Sequence, residues 1–340
     1  MKYTIEEYLL NEYNAASKAR KDVSHFVLQN GFQSLFKNDK TQMRYNKWAK
    51  LLLTLRLCMR LLLLKKNDIL FVQTSLNVLS PILKIRTIKR FKLIYLIHDL
   101  YCLRYNTEKS VRENCKEIGK DISLISQCDY VIAHNDIMVG KLKEFGCASK
   151  LISLGIFDYD CSFPKQRRTF LFNEKIKVVY AGYLGKAEFL EKLDNVTHEN
   201  CVLIIYGIPK IPLKNAIYKG HIDADVLPNV IEGHLGLIWD GTYDVTSEDN
   251  YMCVNNPHKL SMYIVAGLPV IAWKQSAVAQ FIEANDIGIT VDSLDELDER
   301  VKQITPEKYS IMVSNCLSIR EKLVQGGYLR DALKYVMQDI

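Results

Sequence analysis

The chain has 340 residues, which is long enough for two domains with separate cores. Hydrophobic residues make up 48% and charged residues 25%, a globular balance that excludes a disordered chain, and the formal net charge is +6. Nine cysteines without a C-x-x-C pair argue against a disulfide framework and against a zinc site. The first residues, MKYTIEEYLL, carry acids where a signal peptide needs an apolar core. No apolar run approaches the roughly 20 residues of a membrane span. We therefore expect a cytoplasmic protein, either free or on the inner face of a membrane.

Strands and helices alternate along the first half, the pattern of a doubly wound parallel sheet. The predicted strands there cover residues 2–5, 69–73, 93–97 and 130–133. The alternation breaks at residues 157–168 and restarts with predicted strands at 178–180, 202–206, 236–239 and 269–273. We predict an α/β protein of two Rossmann-like domains, 1–160 and 161–322, and a C-terminal helix at 323–340 that packs back on the first domain.

Positive charge is concentrated between residues 40 and 98, where thirteen Lys and Arg accompany one acid, Asp68, for a segment charge of +12. Part of this charge flanks the apolar runs 48–53 and 61–64, a pattern typical of a basic amphipathic helix that lies on anionic lipid. A crossover helix with a buried apolar face and a solvated basic face explains the same run. A second basic cluster at 84–92 favours the membrane interpretation. Nucleic acid is not expected as a partner, because aromatic residues are sparse and no reader motif occurs.

The segment 234–273 carries the strongest functional signal. A strand is followed by a loop with four acids, and then by a helix that is predicted to open with Asn256 as N-cap and Pro257 at its first position. Lys259 adds a charge to the positive helix start, so the segment predicts a diphosphate site. An ordinary βαβ crossover uses the same start and stop signals. The acids are Asp240, Asp244, Glu248 and Asp249.

Ligands of such sheets bind at the carboxyl ends of the strands. After strand 178–180 come Gly182, Tyr183 and Lys186, where glycine permits close approach to a phosphate and the lysine can neutralise it. After strand 202–206, which ends in Tyr206, come Gly207 and Ile208. Their backbone groups could read a uracil edge, and a plain turn explains them equally well.

In the first half, strand 93–97 is followed by His98 and Asp99. An imidazole or a carboxylate at this place can act as a general base that takes the proton of a substrate hydroxyl, with Asp99 the first choice. A capping role for both residues is an open alternative. His134 and Asn135, after the fourth strand, are weaker candidates of the same kind. The segment 11–22 carries Lys and Arg that either form a solvated helix face or reach phosphates.

The spacing Pro257-x-Lys259-Leu260-x-x-Tyr263-x-x-x-Gly267-x-Pro269-Val270-Ile271 resembles the nucleotide-sugar signature of GT-B glycosyltransferases. It departs at Met262, where that signature has a Glu that binds the ribose hydroxyls. Ribose recognition then falls to Ser261 or to the loop 240–249.

More narrowly, the chain resembles bacterial galactofuranosyltransferases of surface-polysaccharide assembly, and more distantly a glucosyltransferase of adhesin glycosylation. The matching stretches are residues 17–22, 96–99, 180–182, 237–241 and 255–259. The resemblance implies a GT-B fold with a cleft between an acceptor-binding N-terminal domain and a donor-binding C-terminal domain. It implies a UDP-sugar donor, a saccharide or lipid-linked saccharide acceptor, and no obligatory metal or other cofactor. A homo-oligomer remains open.

The implied roles fall on both halves of the chain. Asp99 and His98 are the catalytic candidates. The nucleotide-sugar candidates are Asn14, Ser17, Arg20, Gly182, Tyr183, Lys186, Tyr206, Gly207, Ile208, Asp240, Asn255, Asn256, Pro257, His258, Lys259 and Ser261.

Two other classes of protein are alternatives. A nucleotide-sugar epimerase would need a G-x-G-x-x-G turn near the N-terminus and a Tyr-x-x-x-Lys pair. The first is absent, and Tyr218-Lys219 has the wrong spacing. A non-catalytic partner subunit with the same fold is harder to exclude, because Met262 already breaks one position of the signature.

Overall fold

The computed structural model describes residues 1–8, 15–39, 47–100, 103, 111–161, 175–196, 198–245 and 251–340. The chain divides into two compact units. The first contains the N-terminal strand, Ala16–Phe157 and Gly326–Ile340, and the second contains Asp158–Gln325.

Six parallel strands form the sheet of the first unit, in the order β2-β1-β3-β4-β5-β6. The strands are β1 (Lys2–Tyr8), β2 (Gln33–Asp39), β3 (Ile69–Val72), β4 (Lys92–Leu96), β5 (Tyr130–Ala133) and β6 (Lys150–Ser153). The helices between them are α1 (Ala15–Gln29), α2 (Lys47–Leu61), α3 (Leu76–Lys89), α4 (Val111–Ile125) and α5 (Asp136–Glu144).

The second unit repeats this design with six parallel strands in the order β12-β11-β10-β7-β8-β9. Its strands are β7 (Ile176–Tyr183), β8 (Cys201–Ile208), β9 (Ile217–Gly220), β10 (Leu235–Ile238), β11 (Val270–Trp273) and β12 (Gly288–Val291). Its helices are α6 (Phe189–Asn195), α7 (Leu227–Val230), α8 (His258–Val265), α9 (Ala279–Ala284), α10 (Leu297–Lys302) and α11 (Pro306–Val324).

The last helix, α12 (Gly327–Asp339), belongs to the first unit. Its Leu333 joins a core cluster with Phe26 of α1 and Phe71 of β3. The Tyr130 hydroxyl donates to the Asp339 carboxylate at 2.6 Å, so a polar contact also fixes the end of the helix.

Several inner strands of the two sheets are buried along their whole length, because helices cover both faces of a doubly wound parallel sheet. In β3, β5, β10 and β11 every residue is buried. In the second unit a single cluster extends from Phe189 of α6 through Trp239 to Met312 of α11. Each sheet therefore has its own core.

All eight strands predicted from sequence are confirmed, with boundaries that shift by a few residues. Four strands were missed, and they are the two edges of each sheet. Edge strands face solvent on one side, so β6 and β9 contain exposed residues and lack a continuous buried run. The missed strands are β2, β6, β9 and β12.

Seven cysteines are free thiols: Cys58, Cys128, Cys147, Cys161, Cys201, Cys253 and Cys316. In the same part of the chain, no helix combines the length and the apolar character required to cross a membrane.

Candidate functional site

The start of α8 differs by one residue from the sequence prediction. The helix begins at His258, and Pro257 is the N-cap, with φ −69° and an extended ψ of 137°. The prediction that Asn256 caps the helix and that Pro257 occupies its first position is therefore wrong. The reason is local, because the proline ring fixes φ but leaves ψ free, and here ψ is not helical. The side chain of this N-cap residue makes no capping hydrogen bond.

Tyr263, one turn after Lys259, anchors α8 to the sheet. Its hydroxyl donates to the carbonyl oxygen of Val179 at 3.1 Å and accepts from the N–H of Ala181 at 2.9 Å. The ring fits only because residue 236 is glycine, since a Cβ there would lie 2.4 Å from Cγ of Tyr263. Residues four apart share one helix face, so the anchor also positions Lys259.

Lys259 extends from the first turn of α8 toward the carboxyl ends of β7 and β10. Its amine donates to the backbone carbonyl of Trp239 at 3.1 Å and to the Tyr180 hydroxyl at 3.3 Å, and it lies 4.3 Å from the centre of the Tyr180 ring. Burial lowers the pKa of this amine to about 8, and the nearby Asp240 carboxylate opposes that shift. The site therefore holds a partly buried amine whose charge would be stabilised by an anion.

The ends of β7 and β8 approach each other closely at two glycines. Gly182 pairs with Gly207, whose φ is +142°, and a Cβ on Gly207 would lie 1.9 Å from the carbonyl oxygen of Gly182. The Tyr180 hydroxyl lies 3.4 Å from where a Cβ on Gly182 would be. Gly182 is partly buried and lies beside the Tyr180 hydroxyl that contacts Lys259, and the absence of a side chain at residue 182 permits close approach of a ligand.

Beyond Gly182, the Tyr183 ring is exposed and lies over Gly185, and Lys186 is also exposed. Gly207 and Ile208 belong to β8 itself, so the plain-turn alternative is wrong for them. Ile208 is half exposed.

Tyr206, in contrast, is buried in the core, and its hydroxyl accepts from the N–H of Glu232 at 3.0 Å. His258, the first residue of α8, stacks on Tyr159 with 4.7 Å between the ring centres. Its Nε2 lies 3.2 Å from the carbonyl oxygen of Asp158. His258 is therefore engaged within its own unit.

Asn255 is partly buried, Asn256 and Ser261 are buried, and so is Met262, at the position where the signature has its ribose-binding Glu. Asp240 is exposed directly after Trp239. Glu248 and Asp249, the far acids of the same loop, lie outside the described residues.

In the first unit, Arg20 of α1 joins the ends of β1 and β3. Its guanidinium donates to the Glu7 carboxylate at 3.0 Å and to the carbonyl oxygen of Gln73 at 2.5 Å. The Gln73 amide nitrogen donates back to the carbonyl oxygen of Arg20 and to the Ser24 hydroxyl. Arg20 thus lies in a network of its own unit. Sequence reasoning missed Glu7 and Gln73, although both occupy strand ends, the position searched elsewhere.

His98 is held by this network. Its Nε2 lies 2.5 Å from Oε1 of Gln73, and its ring stacks on Phe157 at 5.3 Å. Because the Gln73 amide nitrogen already donates twice, Oε1 must accept, and Nε2 of His98 must carry the proton. In the neutral ring the basic nitrogen is then Nδ1.

Asp99 is partly exposed and lies beyond Ile97 and His98, because β4 ends at Leu96. Asp99 is therefore one residue farther from the end of the strand than the sequence predicts. Ser17 is partly buried in α1, and Asn14 lies outside the described residues.

The weaker candidates after β5 have structural roles. Asn135 caps α5 by accepting from the N–H of Met138 at 2.9 Å, and the buried His134 lies against the carbonyl oxygen of Ile97.

Among the described residues, His198, Cys201 and Asp298 place three potential metal ligands within 4.8 Å of one another. The Asp298 carboxylate already accepts from the N–H groups of Glu199, Asn200 and Cys201. These bonds hold the turn before β8, so Asp298 has a structural task and the group is a poor metal site.

Comparisons with known proteins identify the family of the chain. Residues 2–156 match the family model of the glucosyltransferase 3-like N-terminal domain, and residues 178–336 match that of the C-terminal domain. Beta-1,6-galactofuranosyltransferase WbbI of Escherichia coli (strain K12) is 32% identical over 259 residues, covering 74% of this chain and 73% of the relative. Glucosyltransferase 3 of Streptococcus parasanguinis is 25% identical over 245 residues, covering 71% and 69%.

Among solved structures, Anabaena Alr3699/HepE in complex with UDP and glucose has a TM-score of 0.68 at 14% identity over 100% of both chains. At that identity the likeness concerns the fold, and it confirms the predicted GT-B architecture of two parallel-sheet units. The chain belongs to the glucosyltransferase 3-like family of GT-B glycosyltransferases.

Proposed function

We propose that the protein transfers a hexose from a UDP-sugar to a saccharide acceptor in cell-surface polysaccharide assembly, with inversion at the anomeric carbon. One observation carries the donor assignment. The partly buried amine of Lys259 lies at the start of α8, beside Gly182 and Asp240, with a pKa lowered by burial. A bound diphosphate would supply negative charge that stabilises the ammonium form of Lys259.

UDP is the leaving group of the proposed reaction. As the bond between the anomeric carbon and the diphosphate oxygen breaks, negative charge develops on that oxygen, and Lys259 together with the helix start would stabilise it. Lys186 is the second candidate for this charge. No metal ion is needed in this proposal.

The acceptor hydroxyl must lose a proton as its oxygen bonds to the anomeric carbon. We assign this role to Asp99, with His98 as the alternative. The contact from Gln73 supports the alternative, since it fixes the His98 tautomer that has its basic nitrogen at Nδ1. The base and the diphosphate site belong to different units, as expected of a GT-B enzyme.

Galactofuranose is the proposed sugar, because the galactofuranosyltransferase relative is 32% identical. Glucose is the competing donor, since glucosyltransferase 3 of Streptococcus gordonii is 27% identical and that of Streptococcus parasanguinis 25%. The glucose alternative would place the enzyme in protein or adhesin glycosylation. The proposed acceptor of the first reaction is a lipid-linked saccharide on the cytoplasmic side of the membrane.

The test is transfer from UDP-galactofuranose and from UDP-glucose, offered separately to saccharide acceptors, with product masses and linkage analysis. The proposal expects a product one hexose larger, with the opposite anomeric configuration to the donor, and faster transfer from UDP-galactofuranose. Faster transfer from UDP-glucose would establish the competing donor. UDP binding without transfer or hydrolysis of either donor would favour a non-catalytic subunit.

A further inference from the structure

The helix α2 is apolar on two opposite faces. Its inner face packs into the first unit through Leu53 and Leu57, with Leu61 at its end, and all three are buried. A second set of apolar side chains recurs at helical spacing on the opposite face and is about half exposed or more. This outer face consists of Trp48, Leu51, Leu52, Leu55 and Met59.

The inner face alone would satisfy a buried crossover helix, so the outer face needs another explanation. Single exposed apolar residues are common, but a contiguous stripe of five on one helix face marks an interaction site. The stripe continues past the helix end, where Leu62 and Leu63 are also exposed.

Basic side chains border the outer face. Arg56 and Arg60 are exposed on α2, and Lys65 and Lys66 are exposed just beyond it. Within the part of the chain that the structure describes, neither guanidinium forms a salt bridge. An apolar stripe flanked by unpaired arginines is the composition of a helix that lies in a lipid interface.

A cavity of about 460 Å³ lies between β2 and α2 and opens beside this stripe. Its lining includes the cationic side chains of Lys37, Arg56 and Arg60, together with Met59 of the outer face. Within 4.0 Å of the Lys37 amine, the described residues place one carboxylate, that of Glu6. The cavity therefore joins a positive pocket to apolar surface, as a phosphate headgroup and its acyl chains would require.

We propose that the outer face of α2 docks on an anionic lipid bilayer, with the helix in the plane of the interface and a headgroup phosphate at the Lys37–Arg56–Arg60 cavity. Charge complementarity favours a bilayer over a second copy of this chain. The segment 40–98 carries a net charge of +12, so self-association through it would bring like charges together. The inference concerns the first unit alone and holds whichever donor sugar is used.

The test is co-sedimentation of the whole protein with vesicles of phosphatidylcholine, with and without phosphatidylglycerol. We expect binding only to the anionic vesicles, and binding that fades as salt rises. The triple variant Leu52→Ser, Leu55→Ser, Met59→Ser should bind these vesicles at least roughly tenfold more weakly than the wild type. Arg56→Gln with Arg60→Gln should lower binding by a similar factor, about tenfold.

The matched control changes exposed apolar residues of other helices, Ile311→Ser with Tyr335→Ser, which should bind as the wild type does. A thermal melt checks that each variant is folded, and the arginine pair decides the outcome if the triple variant is not. Equal recovery with neutral and anionic vesicles would overturn the proposal, and so would full binding by the outer-face variants. If the wild type is a dimer in light scattering and the triple variant is a monomer that still binds vesicles as the wild type does, the proposal is also overturned. The outer face would then bind a second copy of this chain.

Discussion

The amine of Lys259 lies 4.3 Å from the centre of the Tyr180 ring and 3.3 Å from its hydroxyl oxygen. Burial lowers the pKa of this amine to about 8 and raises that of the Tyr180 hydroxyl, so burial disfavours the charged form of each side chain. A bound diphosphate would favour the ammonium form, which couples donor binding to proton uptake.

UDP affinity should therefore depend on pH. The ammonium form of Lys259 is present below its folded-state pKa of about 8 and is lost as pH rises through that value. Affinity should fall between about pH 7 and about pH 9, approaching roughly tenfold per pH unit above the pKa. Calorimetry in buffers of different ionisation enthalpy should show proton uptake on binding. Lys259→Arg keeps its charge throughout, so its profile should be flat, and a flat wild-type profile would contradict the argument.

Gly236 should be required for the anchor of α8. A Cβ at residue 236 would lie 2.4 Å from the Tyr263 ring, so Gly236→Ala should displace the ring and destabilise the protein by about 1–3 kcal/mol. UDP affinity should fall as well, because Lys259 lies on the same helix face. Urea denaturation measures the first effect. Gly140→Ala is the control, since Gly140 lies within α5 with no atom near its added Cβ, and a loss of stability as large there would contradict the steric explanation.

Substitution of the catalytic base should lower turnover without weakening donor binding. Asp99→Asn keeps the size of the side chain and removes its basicity, so turnover should fall roughly a hundredfold or more while UDP affinity stays near that of the wild type. Near-normal turnover in Asp99→Asn, together with lost turnover in His98→Ala, would assign the base to His98.

Gln73→Leu then reports on the orientation of His98. It removes the acceptor at 2.5 Å from Nε2 and should shift the pH–rate profile only if His98 is the base. An unchanged pH–rate profile in this variant would show that His98 is not the catalytic base.

Transfer should persist in EDTA. The helix start and Lys259 can stabilise the charge on the departing UDP without a cation. Turnover is compared before and after exhaustive chelation, with manganese or magnesium then restored. Activity that vanishes with EDTA and returns with either ion would contradict this prediction.

The sequence predicted the centre of each sheet and missed its edges. Buried central strands such as β5 and β11 read as continuous apolar runs, whereas edge strands such as β6 and β9 face solvent and read as loops. The pairing of strands far apart in the chain left no local signal that would have identified them.

For the site, spacing alone identified Lys259 and the helix that carries it, since the signature fixes residues on one helix face. The setting of Lys259 was not predictable, because Tyr180 and Trp239 reach it from other strands. Tyr206 was chosen by its place at a strand end, yet strand residues alternate between faces, and its ring lies in the core.

The most direct test is the calorimetric titration of UDP into the wild type and Lys259→Ala. The account predicts that the wild type binds UDP and that Lys259→Ala binds it about 1.5–3 kcal/mol more weakly, the range for a hydrogen bond to a charged group. Lys274→Ala is the matched control, because it removes an exposed lysine just after β11 that pairs with Asp292, and its UDP affinity should equal that of the wild type. Unchanged UDP affinity in a folded Lys259→Ala protein would contradict the proposed diphosphate site.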